Sequence, residues 1–352
     1  MSQREVCLRI AKGGVDEMKV LVLGATGMLG GYSALALRRA GHSVVACGRR
    51  TSDNGFFAAK GCEYIGGISL EDESVFSMLP RDVDAVVNMA GIMPAHADTT
   101  VMPYVQSIVV GTVNLLNWMK KGTCRRIIFN TTPSDVCKFF GCPVPVDDDA
   151  PRSFPKDGGD HGVYAICKNA AVDILEHYKI AYDFRPIVFR HLTVYGWHPN
   201  ADYFQNGVKK VLPWRQIVRR CIAGETVEVW GDVNKKKELL YVDDFTDAIK
   251  RAVETSICGL YNLPGLRPYT LLEQIEGIVE AFSPVGSRVG IRLCPDKPST
   301  PENLLSGGKV KAALDWSAKL SWNESCRLMR RAAAENEFEQ LWGVPNVADI
   351  VR

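Results

Sequence analysis

A chain of 352 residues, 46% of them hydrophobic and 23% charged, can bury one large core or two unequal ones and has the composition of a soluble globular protein. A formal net charge of +2 gives no reason for a nucleic-acid partner, the basic run Lys235-Lys236-Lys237 is too short to make one, and no apolar run approaches the roughly 20 residues of a membrane span. The eleven cysteines are scattered singly, without a Cys-x-x-Cys pair, and read as reduced packing residues; no metal is expected, and with no signal-peptide pattern the expected location is the cytoplasm.

From Met18 onward the chain alternates strand and helix patterns. Val20 to Leu23 is an apolar run suited to a strand buried on both faces, and Gly24, Gly27 and Gly30 follow at three-residue spacing before a helix over 32–40, closed by Gly41. Small residues in such a turn let a pyrophosphate approach the backbone, and the free N–H groups of the next helix favour its charge. Gly24, Thr26, Gly27, Met28, Leu29 and Gly30 are therefore candidate cofactor contacts. A second strand over 43–47 ends in Gly48-Arg49-Arg50. An acid at this place would bind the ribose 2′-hydroxyl of NAD, whereas arginines accept a 2′-phosphate, so Arg49 and Arg50 point to NADP, with NAD as the alternative. A third strand over 62–67 and a capped helix over 69–79 follow.

The fourth strand, 84–88, runs into the small-residue turn Met89-Ala90-Gly91, where a cofactor would pass close to the backbone. A helix is expected over 104–121. Strand five, 126–130, leads directly into Thr131-Thr132-Pro133-Ser134, and hydroxyls at the C-terminal end of an α/β strand are placed for chemistry. Tyr164-Ala165-Ile166-Cys167-Lys168 opens a helix continuing to Tyr178; four residues of separation put phenol and ammonium on one helix face, where the cation can lower the tyrosine pKa. Thr132, Tyr164 and Lys168 are the candidate catalytic residues. Strand six, 186–194, ends in Thr193-Val194-Tyr195-Gly196, and the nearby His198 is either a structural residue or an additional base. A helix over 214–223, a strand over 227–231, the segment Glu238-Leu239-Leu240-Tyr241-Val242-Asp243-Asp244-Phe245, a helix over 246–254, a strand over 260–263 and a helical segment over 309–316 complete the pattern.

The Gly-x-x-Gly-x-x-Gly turn, the Tyr-x-x-x-Lys pair, Thr193 to Gly196 and the 238–245 segment together resemble the extended short-chain dehydrogenase/reductase family, of NAD-dependent epimerase/dehydratase type, over about 18–331. The resemblance implies an α/β fold: a doubly wound Rossmann-type parallel sheet (18–195 and 239–263) with a smaller C-terminal α+β substrate lobe (196–238 and 264–352), behind an N-terminal extension (1–17) without assigned role. It implies that Tyr164 transfers the substrate hydroxyl proton, Lys168 holds the cofactor ribose and Thr132 hydrogen-bonds the substrate oxygen. Met89, Ala90 and Gly91 would line the cofactor. The activity it implies first is that of a nucleoside-diphosphate-sugar epimerase; an NADPH-dependent aldehyde or ketone reductase, or a non-catalytic cofactor sensor, are the alternatives. The expected partners are a small molecule, a nucleotide-sugar in the first reading, and a second copy of the chain, joined through Val105, Val109, Leu116, Ile174 and Tyr178. Three departures stand out: Gly66-Gly67 replaces the usual Gly-Asp, Ile108 replaces an asparagine, and Pro133-Ser134 replaces the Asp-Glu pair of the family's dehydratases, which argues against a 4,6-dehydratase.

Overall fold

The structure, a computed structural model, describes residues 17–94, 100–154, 160–205 and 208–350. The proposed extension over 1–17 lies outside these except for Glu17. Seven strands form one parallel sheet: β1 (Lys19–Leu23), β2 (Ser43–Cys47), β3 (Glu63–Ile65), β4 (Ala85–Asn88), β5 (Arg126–Thr131), β6 (Arg185–His191) and β7 (Gly259–Leu263). Their order is β7-β6-β5-β4-β1-β2-β3, so the chain leaves β1 in both directions, and the crevice above the β1/β4 boundary is where such sheets bind ligands. Val20, Leu21, Val22, Val86 and Val87 have no exposed surface, as strands covered on both faces require.

One face of the sheet is covered by α1 (Met28–Arg39); the other is covered by a helical run that ends in α2 (Gly111–Lys120) and by α3 (Asp160–Tyr182). The smaller lobe contains α4 (Pro213–Ile222). Next, α5 (Val242–Val253) packs beside α1 under the sheet. Further along, α6 (Leu271–Phe282) and α8 (Trp322–Glu335) pack on each other, with α7 (Gly308–Leu314) between them in sequence. Both α6 and α8 begin with a reciprocal capping box, Thr270 with Glu273 and Ser321 with Glu324, which satisfies two of the free N–H groups of each first turn. Among the described residues no helix is long and apolar enough to cross a membrane, and the ten described cysteines are free, six of them buried.

Besides α1 and α3, which begin four residues before their expected starts, at Met28 and Asp160, four further elements differ from their sequence expectations. The helix expected over 69–79 is a 3₁₀ segment, Glu73–Met78: the Asp72 carboxylate accepts from the Ser74 amide and sets the start, and extended Leu79 before Pro80 sets the end. The helix expected from 104 begins at Val101 and contains a π-helical stretch, Val105–Val110, before α2. Strand six stops at His191, and Val194–Tyr195 pairs instead with Leu240–Tyr241. The helix expected from 246 starts at Val242, so half of the 238–245 segment is the first turn of α5.

Candidate active site

The glycine turn follows from close packing. Gly24 has φ +75°, and a Cβ there would lie 2.8 Å from the backbone of Met89 and Ala90; a Cβ on Gly30 would strike the Gly24 carbonyl. These two glycines let β1, the β4 turn and α1 meet. A Cβ on Gly27, in contrast, would meet only the Gly24 carbonyl, at 3.4 Å, so its open side is available to a ligand. The helix starts at Met28, four residues earlier than its apolar pattern indicates, with Gly27 as N-cap, no side-chain cap and no acid in its first turn. Its positive end is thus uncompensated within the helix's own first turn and fits a pyrophosphate. Ala90, whose amide donates to Asn88 Oδ1 (3.0 Å), and Gly91, at φ +139°, continue the small-residue floor beside Met89.

At the end of β2 the acid position is closed sterically. A Cβ on Gly48 would lie 2.7 Å from the Thr26 methyl group, so no acidic side chain fits there without displacing Thr26. Arg49 and Arg50, equivalent in the sequence, differ in the structure. Arg49 is exposed and makes no ion pair or hydrogen bond shown among the described residues, whereas Arg50 Nη1 donates to the Leu341 carbonyl at 2.6 Å.

Ile108 leaves no hole where the family asparagine stands, being buried within the π-helical stretch. The anchoring falls to neighbouring polar residues. Ser107 Oγ accepts from the Ile92 amide (3.3 Å) and donates to the Pro103 carbonyl (2.7 Å), and Asn114 donates to the Leu70 carbonyl (3.0 Å).

Thr132 follows β5 and caps the 3₁₀ segment Pro133–Phe139, its Oγ1 accepting from the Ser134 amide (3.2 Å) and lying 3.1 Å from Ser134 Oγ. Helix α3 packs against this segment and carries Tyr164 and Lys168 on its inward face, both buried. Lys168 Nζ donates to the Asn130 carbonyl (3.0 Å) and sits 4.4 Å from the centre of the Phe129 ring and 5.8 Å from that of Tyr164. Burial lowers the Lys168 pKa to about 7. Burial, and secondarily Tyr104 with its ring 6.3 Å away, push the Tyr164 phenol well above its ordinary value. The expectation that the lysine brings the phenol toward neutrality is therefore not met by the protein alone: each group favours its uncharged form.

Two histidines sort out clearly. His198 packs on Trp342 at 4.4 Å and accepts from the Asn200 amide through Nδ1, and burial lowers its pKa to about 4, which favours a neutral imidazole held by packing. His191, overlooked in the sequence because it sits inside a strand pattern, donates Nδ1–H to the Leu192 carbonyl (2.7 Å) where the chain leaves the sheet. Behind the site, Arg190 forks onto Asp135 (3.1 and 2.9 Å) and reaches the Asp148 carbonyl (3.0 Å) and Asn262 Oδ1 (3.2 Å), joining β6, the 3₁₀ segment, the acidic loop and β7. Leu116 and Tyr178, expected on a dimer face, are buried within the protomer, Tyr178 donating to Asn117 Oδ1 (2.6 Å).

A doubly wound parallel sheet with an uncapped, glycine-led helix start beside a Tyr-x-x-x-Lys helix defines a dinucleotide-binding protein of the short-chain dehydrogenase/reductase class. The model of the NAD dependent epimerase/dehydratase family matches residues 20–263, and the chain belongs to that family. Curated relatives include UDP-glucose 4-epimerase 3 of Oryza sativa subsp. japonica, 25% identical over 352 aligned positions covering 91% of this chain and 90% of the relative. Another is the low-salt glycan biosynthesis protein Agl12 of Haloferax volcanii, 25% identical over 319 positions covering 87% and 96%. Among solved structures, UDP-glucose 4-epimerase of Thermotoga maritima with UDP-glucose superposes with a TM-score of 0.70 at 20% identity, over 91% of this chain and 99% of that one. The UDP-glucose 4-epimerase of Thermus thermophilus in complex with NAD superposes at 0.67 and 21%, over 92% and 99%.

Proposed function

We propose that the protein is an NAD(P)-dependent epimerase acting on a nucleoside-diphosphate sugar. The observation that carries the reading is the arrangement of Tyr164 and Lys168 on the face of α3 that packs against the segment capped by Thr132, in a chain whose relatives over nine-tenths of its length include UDP-glucose 4-epimerases. A bound nicotinamide dinucleotide would supply the hydride acceptor and donor. In this reading Thr132 hydrogen-bonds the substrate oxygen, Tyr164 takes and returns the hydroxyl proton, and Lys168 leaves the Asn130 carbonyl to hold the cofactor ribose beside the phenol. Its charge there offsets the burial that keeps Tyr164 neutral. The turn Met89-Ala90-Gly91 and the residues Gly24, Thr26, Gly27, Met28, Leu29 and Gly30 cradle the dinucleotide.

The test is incubation with UDP-hexoses and catalytic cofactor. Epimerisation consumes no net NAD(P)H, so an interconverted sugar pair supports the reading; carbonyl reduction with stoichiometric NADPH loss would establish the reductase instead. Arg49 favours that second reading only as far as it favours NADP, the cofactor we propose over NAD. Arg49→Ala is expected to weaken NADP binding about tenfold, the scale of one charged hydrogen bond, and leave NAD within twofold. A parent chain that prefers NAD in titration overturns this.

The protein is further proposed to be a homodimer through the helices flanking Val109 and Ile174. The partly buried Val105, Val109 and Ile174 remain from the expected stripe, next to exposed Val110 and Ile166. Sedimentation at micromolar concentration is expected to give twice the chain mass; a monomer refutes the interface.

A further inference from the structure

The chain beyond α8 forms a two-ended strap. Asn336, in the left-handed conformation at φ 44°, ends the helix and turns residues 337–342 back onto the nucleotide-binding sheet domain. Phe338 stacks on Trp342 (4.0 Å between ring centres) and on Phe56 (5.1 Å) and packs at a tilt against Tyr32 of α1 (4.7 Å). Trp342 Nε1 donates to the Thr26 carbonyl in the glycine turn at 2.9 Å, and Asn54 donates to the Gln340 carbonyl at 2.9 Å. The far end is held on the smaller lobe. Asp349, with no exposed surface, receives Arg215 (2.7 Å) and Arg219 (2.8 Å) from α4.

Between these anchors the strap holds one residue of the cofactor site. Leu341 presents its carbonyl to Arg50, 291 positions away in sequence, and this charge-assisted bond occupies a guanidinium nitrogen that a 2′-phosphate would otherwise use. Arg49, one residue earlier, is untouched by the strap. We propose that the C-terminal strap sets cofactor selectivity: docked, it ties up Arg50 and leaves Arg49 alone to meet a 2′-phosphate; released, it frees both arginines and raises the affinity for NADP(H) over NAD(H). The contact to Thr26, whose side chain closes the acid position at Gly48, means that both determinants of the ribose site, the steric one and the charged one, are touched by the same six residues. The proposal rests on the reading of the Gly24 to Gly30 turn as a dinucleotide site.

The experiment titrates NAD⁺ and NADP⁺ into the full chain, a chain ending at Asn336, and the full-length double variant Phe338→Ala/Trp342→Ala. The double variant loosens the near anchor without removing the strap and serves where the shortened chain fails to fold; Asp349→Asn loosens the far end by itself. Release is expected to tighten NADP⁺ about tenfold while NAD⁺ changes less than twofold. Combined with each release, Arg50→Gln should abolish the gain, the NADP⁺ affinity of the released variants then matching that of the Arg50→Gln full chain, a dependence that general loosening of the domain would not produce. A full chain that binds neither dinucleotide overturns the cofactor reading and the strap proposal together. A full chain that binds them in a ratio indifferent to every released, folded variant, or a gain that survives Arg50→Gln, overturns the strap proposal alone.

Discussion

Tyr164→Phe is expected to leave the fold and the cofactor affinity nearly unchanged and to lower turnover by about two to four orders of magnitude, the usual share of a positioned acid/base group. A carbinol loses its proton and its hydride from adjacent atoms, so the base must reach the oxygen while the hydride acceptor faces the carbon. Tyr164 is buried, shares a helix face with Lys168 and lies on the helix packed against the segment that Thr132 caps. Phenylalanine keeps the ring and its edge contact with Tyr104 and removes only the hydroxyl, so stability isolates chemistry from packing. Single-turnover hydride transfer, followed by the absorbance of reduced nicotinamide, reads the step directly. A variant as fast as the parent places the acid/base group elsewhere. Thr132→Val should cost less, because Ser134 Oγ lies 3.1 Å from the Thr132 hydroxyl oxygen and can substitute as donor.

The parts of the site legible in the sequence are those whose physics is local. A strand followed by glycines at three-residue spacing, or a tyrosine four residues before a lysine, is written in neighbouring residues, and the structure places Gly24, Gly27 and Gly30, and Tyr164 and Lys168, accordingly. The start of α1 was less legible because Gly30 and Gly31 belong to its first turn and carry no apolar period. The π-helical stretch Val105–Val110 was invisible for a related reason: Val105, Ile108, Val109 and Thr112 satisfy an ordinary helical spacing, and one widened turn changes the register without changing that list. Arg50 shows the opposite limit. Nothing near it in sequence distinguishes it from Arg49, since the carbonyl that engages it belongs to Leu341.

Arg190→Met is expected to destabilise the protein by about 3–5 kcal/mol, a large part of the roughly 5–15 kcal/mol that holds a typical domain together. Arg190 and Asp135 are almost wholly withdrawn from solvent, and the guanidinium also satisfies the Asp148 carbonyl and Asn262 Oδ1. Removing it orphans three acceptors at once, and an unpaired buried carboxylate is the most costly of them. The loss should depend on pH in a fixed direction. Burial already pushes the Asp135 carboxyl above its ordinary value against the pull of Arg190, and without the arginine it rises further. A folded-state pKa above the unfolded one contributes stability that is fully present below the unfolded pKa and is lost as pH rises through the folded value. The deficit of Arg190→Met is therefore greatest near neutral pH and shrinks on acidification as Asp135 takes up its proton. The double variant Arg190→Met/Asp135→Leu, which removes both charges, should recover part of the loss at neutral pH and show a flatter pH dependence than the single variant. Urea unfolding of parent, single and double variants between pH 4 and 8 measures all three quantities. A single-variant deficit below about 1 kcal/mol at neutral pH, or one that grows on acidification, would mean that the cluster behind Thr132 is not held by this ion pair.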